Sequence, residues 1–277
     1  MLETAAEREL VPSVLAYTAR DKGRDLLRRA FTRRRARLVI VKSLDAAKAA
    51  LTASLIDAVV VDVSSPTDDT WGMVALARQL PSIPFFALAA PRPADAGVIG
   101  RCASLDFADL LAEGVDDAAL RELVVRQAFS ARFARALRGA HLTLGLDAPL
   151  QEQAWEFIVS AGGRPVRTDA VAVALGVTRE HLSRSFSAEG APNLKRVIDL
   201  VRLVAAAELA KNPGYDLADV ATVLEFASPS HLASTAQRVA GIRAASLTRL
   251  RTQDLLVRFR QAGEKRLLLG WAPLQRL

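Results

Sequence analysis

The amino-acid sequence predicts an α/β domain followed by an all-α domain, and three observations support this. The chain has 277 residues, more than one hydrophobic core usually serves. Up to about residue 115, short apolar runs alternate with helical patterns, as in a parallel sheet with intervening helices. Beyond Pro149 this alternation stops, and helical segments separated by short turns follow.

The composition is that of a folded globular protein with a basic surface. Hydrophobic residues make up 51% of the chain, and the formal net charge is +7, which fits a polyanionic partner. No apolar run reaches the roughly 18 residues of a membrane span, and the start MLETAAEREL does not resemble a signal peptide. We therefore expect a cytoplasmic protein with no membrane partner. The single cysteine and three widely spaced histidines predict no metal site and no cofactor.

Residues 1–118 are expected to form the α/β domain. The predicted strands are Ser13 to Tyr17, Leu38 to Val41, Ala58 to Val63, Ile83 to Ala89 and Phe107 to Leu111. The predicted helices are Arg24 to Thr32, Asp45 to Ser54, Trp71 to Leu80 and Ala94 to Ala103. Five strands with interleaved helices suit a flavodoxin-like, doubly wound parallel sheet.

The arginine cluster between the first two strands has two open interpretations. It is a solvated edge of helix and strand, or it contacts DNA or an acidic partner. Its members are Arg28, Arg29, Arg33, Arg34, Arg35 and Arg37.

Residues 119–146 are expected to form a linker helix. Apolar residues recur at helical spacing from Asp116 to about Arg138, which predicts one helix of several turns. It is either a dimer seam or the last helix of the α/β domain. Glycines and Pro149 then interrupt the pattern, so residues 147–252 form the second domain. An amphipathic tail, residues 253–277, is expected to dock on that domain.

The stretch AVAVALGVTREHLSRSF, residues 170–186, has the features of a helix-turn-helix unit. Ala172 is small where two helices cross, and Gly176 can adopt the left-handed turn conformation. Thr178 can cap the second helix, and Leu182 and Phe186 share one inward face. These assignments leave the remaining polar residues of the second helix facing solvent.

A second copy of the pattern, VATVLEFASPSHLASTA, begins about fifty residues later. Ala221, Leu224, Ser228 and Leu232 correspond to positions of the first copy, and the pair Ser228-Pro229 is a favourable helix start. Between the copies runs NLKRVIDLVRLVAAAELAK, an alanine- and leucine-rich helix that can hold both units at a fixed separation.

Residues 150 to 250 resemble the AraC-type DNA-binding domain. The matching residues are Leu182, Arg184, Phe186, Arg202, Ala206, Leu209, Phe226 and Gly241. The resemblance implies two recognition helices in successive major grooves on one face of double-stranded DNA, about 34 Å apart. It also implies that the chain is a sequence-specific bacterial transcription regulator. RNA polymerase and a second copy of the chain are further candidate partners.

The second unit departs from the family pattern at several positions. Glu225 replaces the usual glycine of the turn, Ser234 and Ala236 replace the usual arginine and phenylalanine, and Ala244 replaces a proline. Because a serine hydroxyl selects bases less well than an arginine fork does, we expect the first unit to dominate specificity.

The expected DNA-binding residues fall into two groups. Base-reading candidates lie on the recognition helices, and phosphate-binding candidates lie on the connecting helix. The base-reading candidates are Arg179, Glu180, Ser183, Arg184, Ser230 and Ser234. The phosphate-binding candidates are Lys195 and Arg196, with Arg243 as a further position. His181 and His231 are expected to pack at helix junctions rather than to contact bases.

The α/β domain resembles a response-regulator receiver at DAVVVDVSSPTDDTWG, which places Asp62 at the phospho-acceptor position. Phosphoryl transfer to that carboxylate also needs magnesium and fixed positive charge. Thr18 and Ala19 replace the acidic pair after the first strand, although Asp21 stands just beyond. Ala89 or Ala90 replaces the hydroxyl after the fourth strand, and the ending LLAEGV has no lysine. We therefore expect a pseudo-receiver in which Asp62 is a structural remnant.

We compared three functions from different classes against the sequence. The leading hypothesis is a transcription regulator controlled by the pseudo-receiver, through a protein contact, a small ligand or dimerisation. The alternative is a protein-interaction adaptor that has lost DNA binding. An enzymatic α/β domain is not expected, because the chain shows no phosphate loop, nucleophile elbow or convergent histidine and carboxylate set.

Overall fold

The computed structural model describes residues 11–90, 97–98, 100, 107–116, 118–186 and 191–270, with side chains to residue 263. The first half is built on a parallel five-stranded sheet in the order β2-β1-β3-β4-β5. The strands are β1 (Ser13–Tyr17), β2 (Arg37–Val41), β3 (Ala58–Asp62), β4 (Phe85–Ala89) and β5 (Asp109–Ala112). This order is the flavodoxin-like doubly wound topology, so the sequence prediction of the fold is confirmed.

Helices cover both faces of the sheet, and the strand sequences explain this arrangement. β3 and β4 are buried along their whole length, as near-continuous apolar runs require between two helix layers. The helices are α1 (Asp21–Ala30), α2 (Leu44–Ala53) and α3 (Asp68–Gln79). Leu27 of α1 packs on one face, and Leu51 of α2 and Met73 of α3 pack on the other. The predicted helix at 94–103 lies largely outside the described residues.

The predicted single linker helix is wrong, because two helices meet at Ala128. They are α4 (Leu120–Gln127) and α5 (Phe129–Ala136), and Ala128 has an extended ψ of 149°. The buried residue Asp57 explains the break, since its carbonyl accepts from Phe129 N at 2.7 Å and its carboxylate from Ser130 N at 3.1 Å. Leu120 of α4 is fully buried against the sheet, which favours the last-helix alternative over a dimer seam.

Helices and turns form the rest of the described chain, as predicted. They are α6 (Ala140–Thr143), α7 (Pro149–Ser160), α8 (Thr168–Ala174), α9 (Arg179–Ser185), α10 (Leu194–Leu209), α11 (Leu217–Val223), α12 (Pro229–Ala240), a 3-10 turn (Ala244–Arg249) and α13 (Thr252–Gly270). α10 is the central rod, and α12 and α13 pack against it. The tail docks as expected, because Leu255, Leu256 and Phe259 are buried in the core of the helical half.

The two halves of the molecule share a continuous apolar core and a set of buried polar contacts. Asp57, fully buried at the start of β3, pairs with Arg164 from the loop between α7 and α8 and accepts from Ser13 N at 2.7 Å. Tyr215 donates its hydroxyl to Leu51 O at 2.8 Å, and burial raises its pKa. The predicted domain boundaries stay predictions.

No helix in the described part of the chain is both long and apolar enough to cross a membrane.

Candidate nucleic-acid interface

The first helix-turn-helix unit consists of α8, a short turn and α9. Gly176 adopts the left-handed conformation, with φ +65°. Val177 N donates to Ala172 O at 3.0 Å and Gly176 N to Val173 O at 3.2 Å, the paired bonds of a Schellman helix end. Thr178 then caps α9 by accepting from His181 N at 3.2 Å. The predicted roles of Gly176 and Thr178 are confirmed.

The second unit, formed by α11 and α12, repeats this geometry with different residues. Glu225 occupies the position equivalent to Gly176 of the first unit and has φ +54°. A residue with a side chain therefore adopts the left-handed conformation here. Phe226 N donates to Ala221 O at 2.8 Å, which again closes the Schellman end. Ser228 caps α12 through His231 N at 3.1 Å, with Pro229 at the first helical position, as predicted.

Arg202 of α10 fixes the second unit to the central rod. Its Nη2 donates to Leu224 O at 2.9 Å and to Glu225 O at 3.1 Å, so it satisfies carbonyls at the end of α11. Its guanidinium lies over the ring of Phe226, 4.1 Å from the centroid. Burial lowers the pKa of Arg202, although the charges of Asp199 and Glu225 act in the opposite direction. Arg202 therefore serves structure rather than base reading.

α9 exposes all four residues predicted to read bases in the first unit. Arg179, Glu180, Ser183 and Arg184 are exposed, while Leu182 between them is fully buried. The Arg179 side chain is 66% exposed, and its guanidinium lies 3.5 Å from Asp169. A base-contacting side chain must be accessible to the duplex, and these four are exposed. The base contacts themselves stay a prediction.

α12 exposes Ser230 and Ser234, the candidates of the second unit. The Ser234 hydroxyl donates to His231 O at 3.0 Å, so its oxygen keeps only acceptor capacity. The sequence interpretation missed Gln237, which is exposed and lies on the same face at the i, i+4, i+7 spacing of Ser230 and Ser234. A glutamine can bind adenine with two hydrogen bonds.

The predicted phosphate-binding residues differ in where their charges lie. Lys195 and Arg243 are exposed. Arg196 instead places its guanidinium 4.7 Å from the centroid of the Phe259 ring, with Nε and Nη2 buried. A phosphate contact by Arg196 would require this stack on α13 to open.

The two histidines of the recognition helices behave differently from each other. His231 packs edge-on against Phe226, with ring centroids 5.8 Å apart, as expected of a residue at a helix junction. Both histidines are exposed, and the expectation that His181 packs at a helix junction stays a prediction.

At the carboxyl end of the sheet, a network of side chains binds Asp62, the residue at the predicted phospho-acceptor position. Arg20 donates to both carboxylate oxygens of Asp62, from Nε at 2.8 Å and from Nη2 at 2.9 Å. Thr18 Oγ1 donates to Asp62 at 2.7 Å, and Ser64 N donates at 3.1 Å. Gly23 makes room for this arrangement, because a Cβ there would lie 2.7 Å from Asp62 Oδ2.

Glu113, at the end of β5, completes the network with a charge opposite to the lysine that the receiver resemblance implies. Its carboxylate lies 2.8 Å from Arg20 Nη2 and 2.8 Å from Lys22 Nζ. Burial raises the pKa of Glu113, but the hydrogen bonds and charges of Lys22 and Arg20 outweigh burial and hold it below its usual value. Burial likewise opposes the charge of Arg20, and the bonds to Asp62 and Glu113 raise its pKa nonetheless.

The residues at this site do not fit a bound magnesium ion. The guanidinium of Arg20 lies against both oxygens of Asp62, which are the ligands that the metal would need. A divalent cation would also be repelled by that fixed positive charge. The ion pair between Arg20 and Asp62 thus occupies the place where a receiver would bind its metal ion.

Comparison with known proteins identifies the class of the helical half. Residues 171–249 match the protein family described as "Helix-turn-helix domain". The match runs from α8 to the 3-10 turn and covers both units. The protein thus carries an AraC-type helix-turn-helix domain, of the class found in DNA-binding transcription regulators, behind a flavodoxin-like α/β domain.

Two further comparisons add little. A search of curated proteins gives no match. Among solved structures, the chain is similar to the crystal structure of full-length FixJ from B. japonicum, with 16% identity and a TM-score of 0.38. That similarity covers 84% of this chain and 98% of that chain. At this level it carries no argument, and the flavodoxin-like fold rests on the strand order alone.

Proposed function

We propose that the protein is a sequence-specific regulator of transcription that inserts α9 and α12 into successive major grooves of double-stranded DNA. The observation that carries this proposal is the equivalence of the two units. Both have the same Schellman turn and the same hydroxyl cap at the start of the recognition helix. The second unit packs directly on the buried rod α10, and the first unit packs on α7, which itself contacts that rod.

The first unit supplies most of the base recognition. α9 offers two exposed arginines, and an arginine fork distinguishes guanine from other bases more strongly than a hydroxyl does. α12 offers Ser230, Ser234 and Gln237 at the corresponding surface. Lys195 supplies affinity without sequence information through a phosphate contact.

The α/β domain acts as a pseudo-receiver that regulates without phosphorylation of Asp62. The bidentate ion pair with Arg20 occupies the carboxylate, and Glu113 faces the same arginine. RNA polymerase and a second copy of the chain stay predicted partners of this regulator.

Genome-wide binding of the full chain and an Arg184→Ala variant tests the proposal. We expect the wild type to occupy sites with a common sequence, and the variant to lose that preference while keeping its fold by circular dichroism. Arg34→Ala is the matched control, because Arg34 is exposed in the other half of the molecule. Identical sites for the wild type and Arg184→Ala would refute the role of α9.

A further inference from the structure

A cavity of about 680 Å³ lies between the two halves of the molecule. The α/β half contributes the starts of β1 and β2 and the segment before β3, including Ser13, Arg37 and Leu55. The helical half contributes the loop between α7 and α8, together with Ala170 of α8 and Glu225. The volume falls within the range of about 300–1,000 Å³ that small-molecule sites occupy.

The wall of this cavity carries an excess of positive charge. Four arginines line it, and Glu225 is the one acidic residue among the described lining residues. Arg164 is paired with Asp57, and Arg167 lies 3.5 Å from Asp169. Within the described part of the chain, no acidic side chain pairs with Arg33 or Arg37, so two guanidinium groups have charge available for a ligand.

The remaining wall is apolar and belongs to both halves. Leu38 and Leu55 face the cavity from the sheet side, and Phe157, Pro165 and Val166 from the helical side. A ligand that fits such a wall has a carbon skeleton as well as a charged group.

We propose that this cavity binds a small organic anion bearing at least two negative charges, on phosphate or carboxylate groups. Arg33 and Arg37 bind the charged groups by charge-assisted hydrogen bonds, and Phe157 and Val166 pack on the carbon skeleton. The site lies at the amino ends of the strands, so it is separate from Asp62 at the carboxyl end of β3.

Such a ligand would act on both helix-turn-helix units at once. Ala170 belongs to the first helix of the first unit, and Glu225 is the left-handed turn residue of the second. A ligand that contacts these residues and the sheet together favours one arrangement of the two halves, and so shifts the population that binds DNA. This regulatory step rests on the proposed function, whereas binding of the anion does not.

Isothermal titration of the full chain with pyrophosphate and with citrate, without DNA, tests the site. We expect saturable one-site binding of at least one probe, weakened by about tenfold or more in the double variant Arg33→Gln, Arg37→Gln. The double variant Arg34→Gln, Arg35→Gln removes the same charge from exposed neighbours that do not line the cavity. Its affinity should stay within about twofold of the wild type if the effect is local rather than a change in net charge.

A variant that should bind more tightly controls for the possibility that the arginine variant loses binding because it is misfolded. Glu225→Gln removes the acidic residue from the wall and should strengthen binding of the same probe several-fold. No saturable binding of either probe, or equal weakening in both arginine variants, would overturn the proposal. Measuring the affinity of the full chain for DNA with and without the probe then separates binding of the anion from the regulatory step. Anion binding without any effect on DNA affinity contradicts the regulatory step alone.

Discussion

At the residue scale, neighbouring side chains bind the carboxylate of Asp62, which stands where the receiver resemblance places a phospho-acceptor. Arg20 binds both of its carboxylate oxygens, and Thr18 donates to one of them. A carboxylate attacks phosphorus only when an oxygen is free and a cation is ready to balance the developing charge. The Arg20 guanidinium donates to both oxygens, and on this ground we propose that Asp62 is not phosphorylated.

The proposal that Asp62 is not phosphorylated can be tested directly. We expect no mass increase when the protein is incubated with acetyl phosphate and magnesium and its intact mass is measured. A working receiver treated in parallel gives the positive control. A phosphoryl adduct that disappears in Asp62→Asn would contradict the pseudo-receiver assignment.

Glu113 gives this network a pH dependence with a defined sign. Its folded pKa is lowered below 4.5, since the bonds and charges of Lys22 and Arg20 outweigh burial. The stabilisation by ionised Glu113 is therefore fully present above its unfolded pKa and is lost as pH falls through the lower folded value. Urea unfolding at about pH 6 and about pH 3.5 should show the advantage of wild type over Glu113→Gln shrinking in acid. An advantage of equal size at both pH values would refute the assignment.

The sequence could predict residues that act through local pattern, and it could not predict those that act through distant partners. Gly176, Thr178 and Ser228 were accessible because a turn and a helix cap need particular residue types at fixed spacing. Arg20 was missed, since its partner Asp62 lies forty-two positions away and no periodicity joins them. Gln237 carried a signal that was overlooked, namely its helical spacing from Ser234.

At the scale of elements, the two turns form an internal comparison within one chain. Gly176 and Glu225 occupy the same left-handed position of equivalent helix-turn-helix units, at φ +65° and +54°. The glycine pays no steric cost there, whereas a residue with a Cβ is strained by roughly 1–2 kcal/mol. The second turn persists because Arg202 and the Schellman bonds hold it in place.

Exchanging the residue types at the two turns should change stability in opposite directions. Glu225→Gly relieves the strain and should raise the free energy of unfolding by about 0.5–1 kcal/mol, after the entropy of the unfolded glycine is counted. Gly176→Ala should lower it by about 1 kcal/mol or more, although a Cβ there has open space, because the cost lies in the backbone. Urea unfolding followed by circular dichroism measures both. Destabilisation by Glu225→Gly would mean that its side chain makes a stabilising interaction.

The break between α4 and α5 shows a limit of helical periodicity. The apolar spacing continues across Ala128, so the pattern predicts one helix. The structure ends α4 there, because Asp57 offers a carbonyl and a carboxylate to the amide groups at the start of α5. The break between the two helices is thus explained by hydrogen bonds to Asp57, a buried residue distant in sequence.

At the scale of the whole molecule, Asp57 and Arg164 join the sheet to the helical half. Asp57 is fully buried, and Arg164 also donates to Leu55 O at 3.2 Å. Removal of one partner leaves a buried charge without compensation, which is more damaging than loss of the attraction alone. This pair connects the loop that leads into the first helix-turn-helix unit to the α/β domain.

Asp57→Asn should therefore destabilise the protein by about 3–5 kcal/mol in urea unfolding. Asp25→Asn removes an acid whose arginine partner lies 4.0 Å away on the surface, and it should cost less than about 1 kcal/mol. Similar losses in the two variants would show that the buried pair does not join the halves energetically.

The central claim is that the helical half binds a DNA duplex through α9 and α12, and the salt dependence of binding tests it most directly. Fluorescence anisotropy of the full chain with a duplex from its occupied sites should give a log–log plot of affinity against salt with a steep negative slope. Each phosphate contact contributes about −0.9 to that slope. A slope near zero, or no binding at low salt, would contradict the claim and favour an adaptor that binds only proteins.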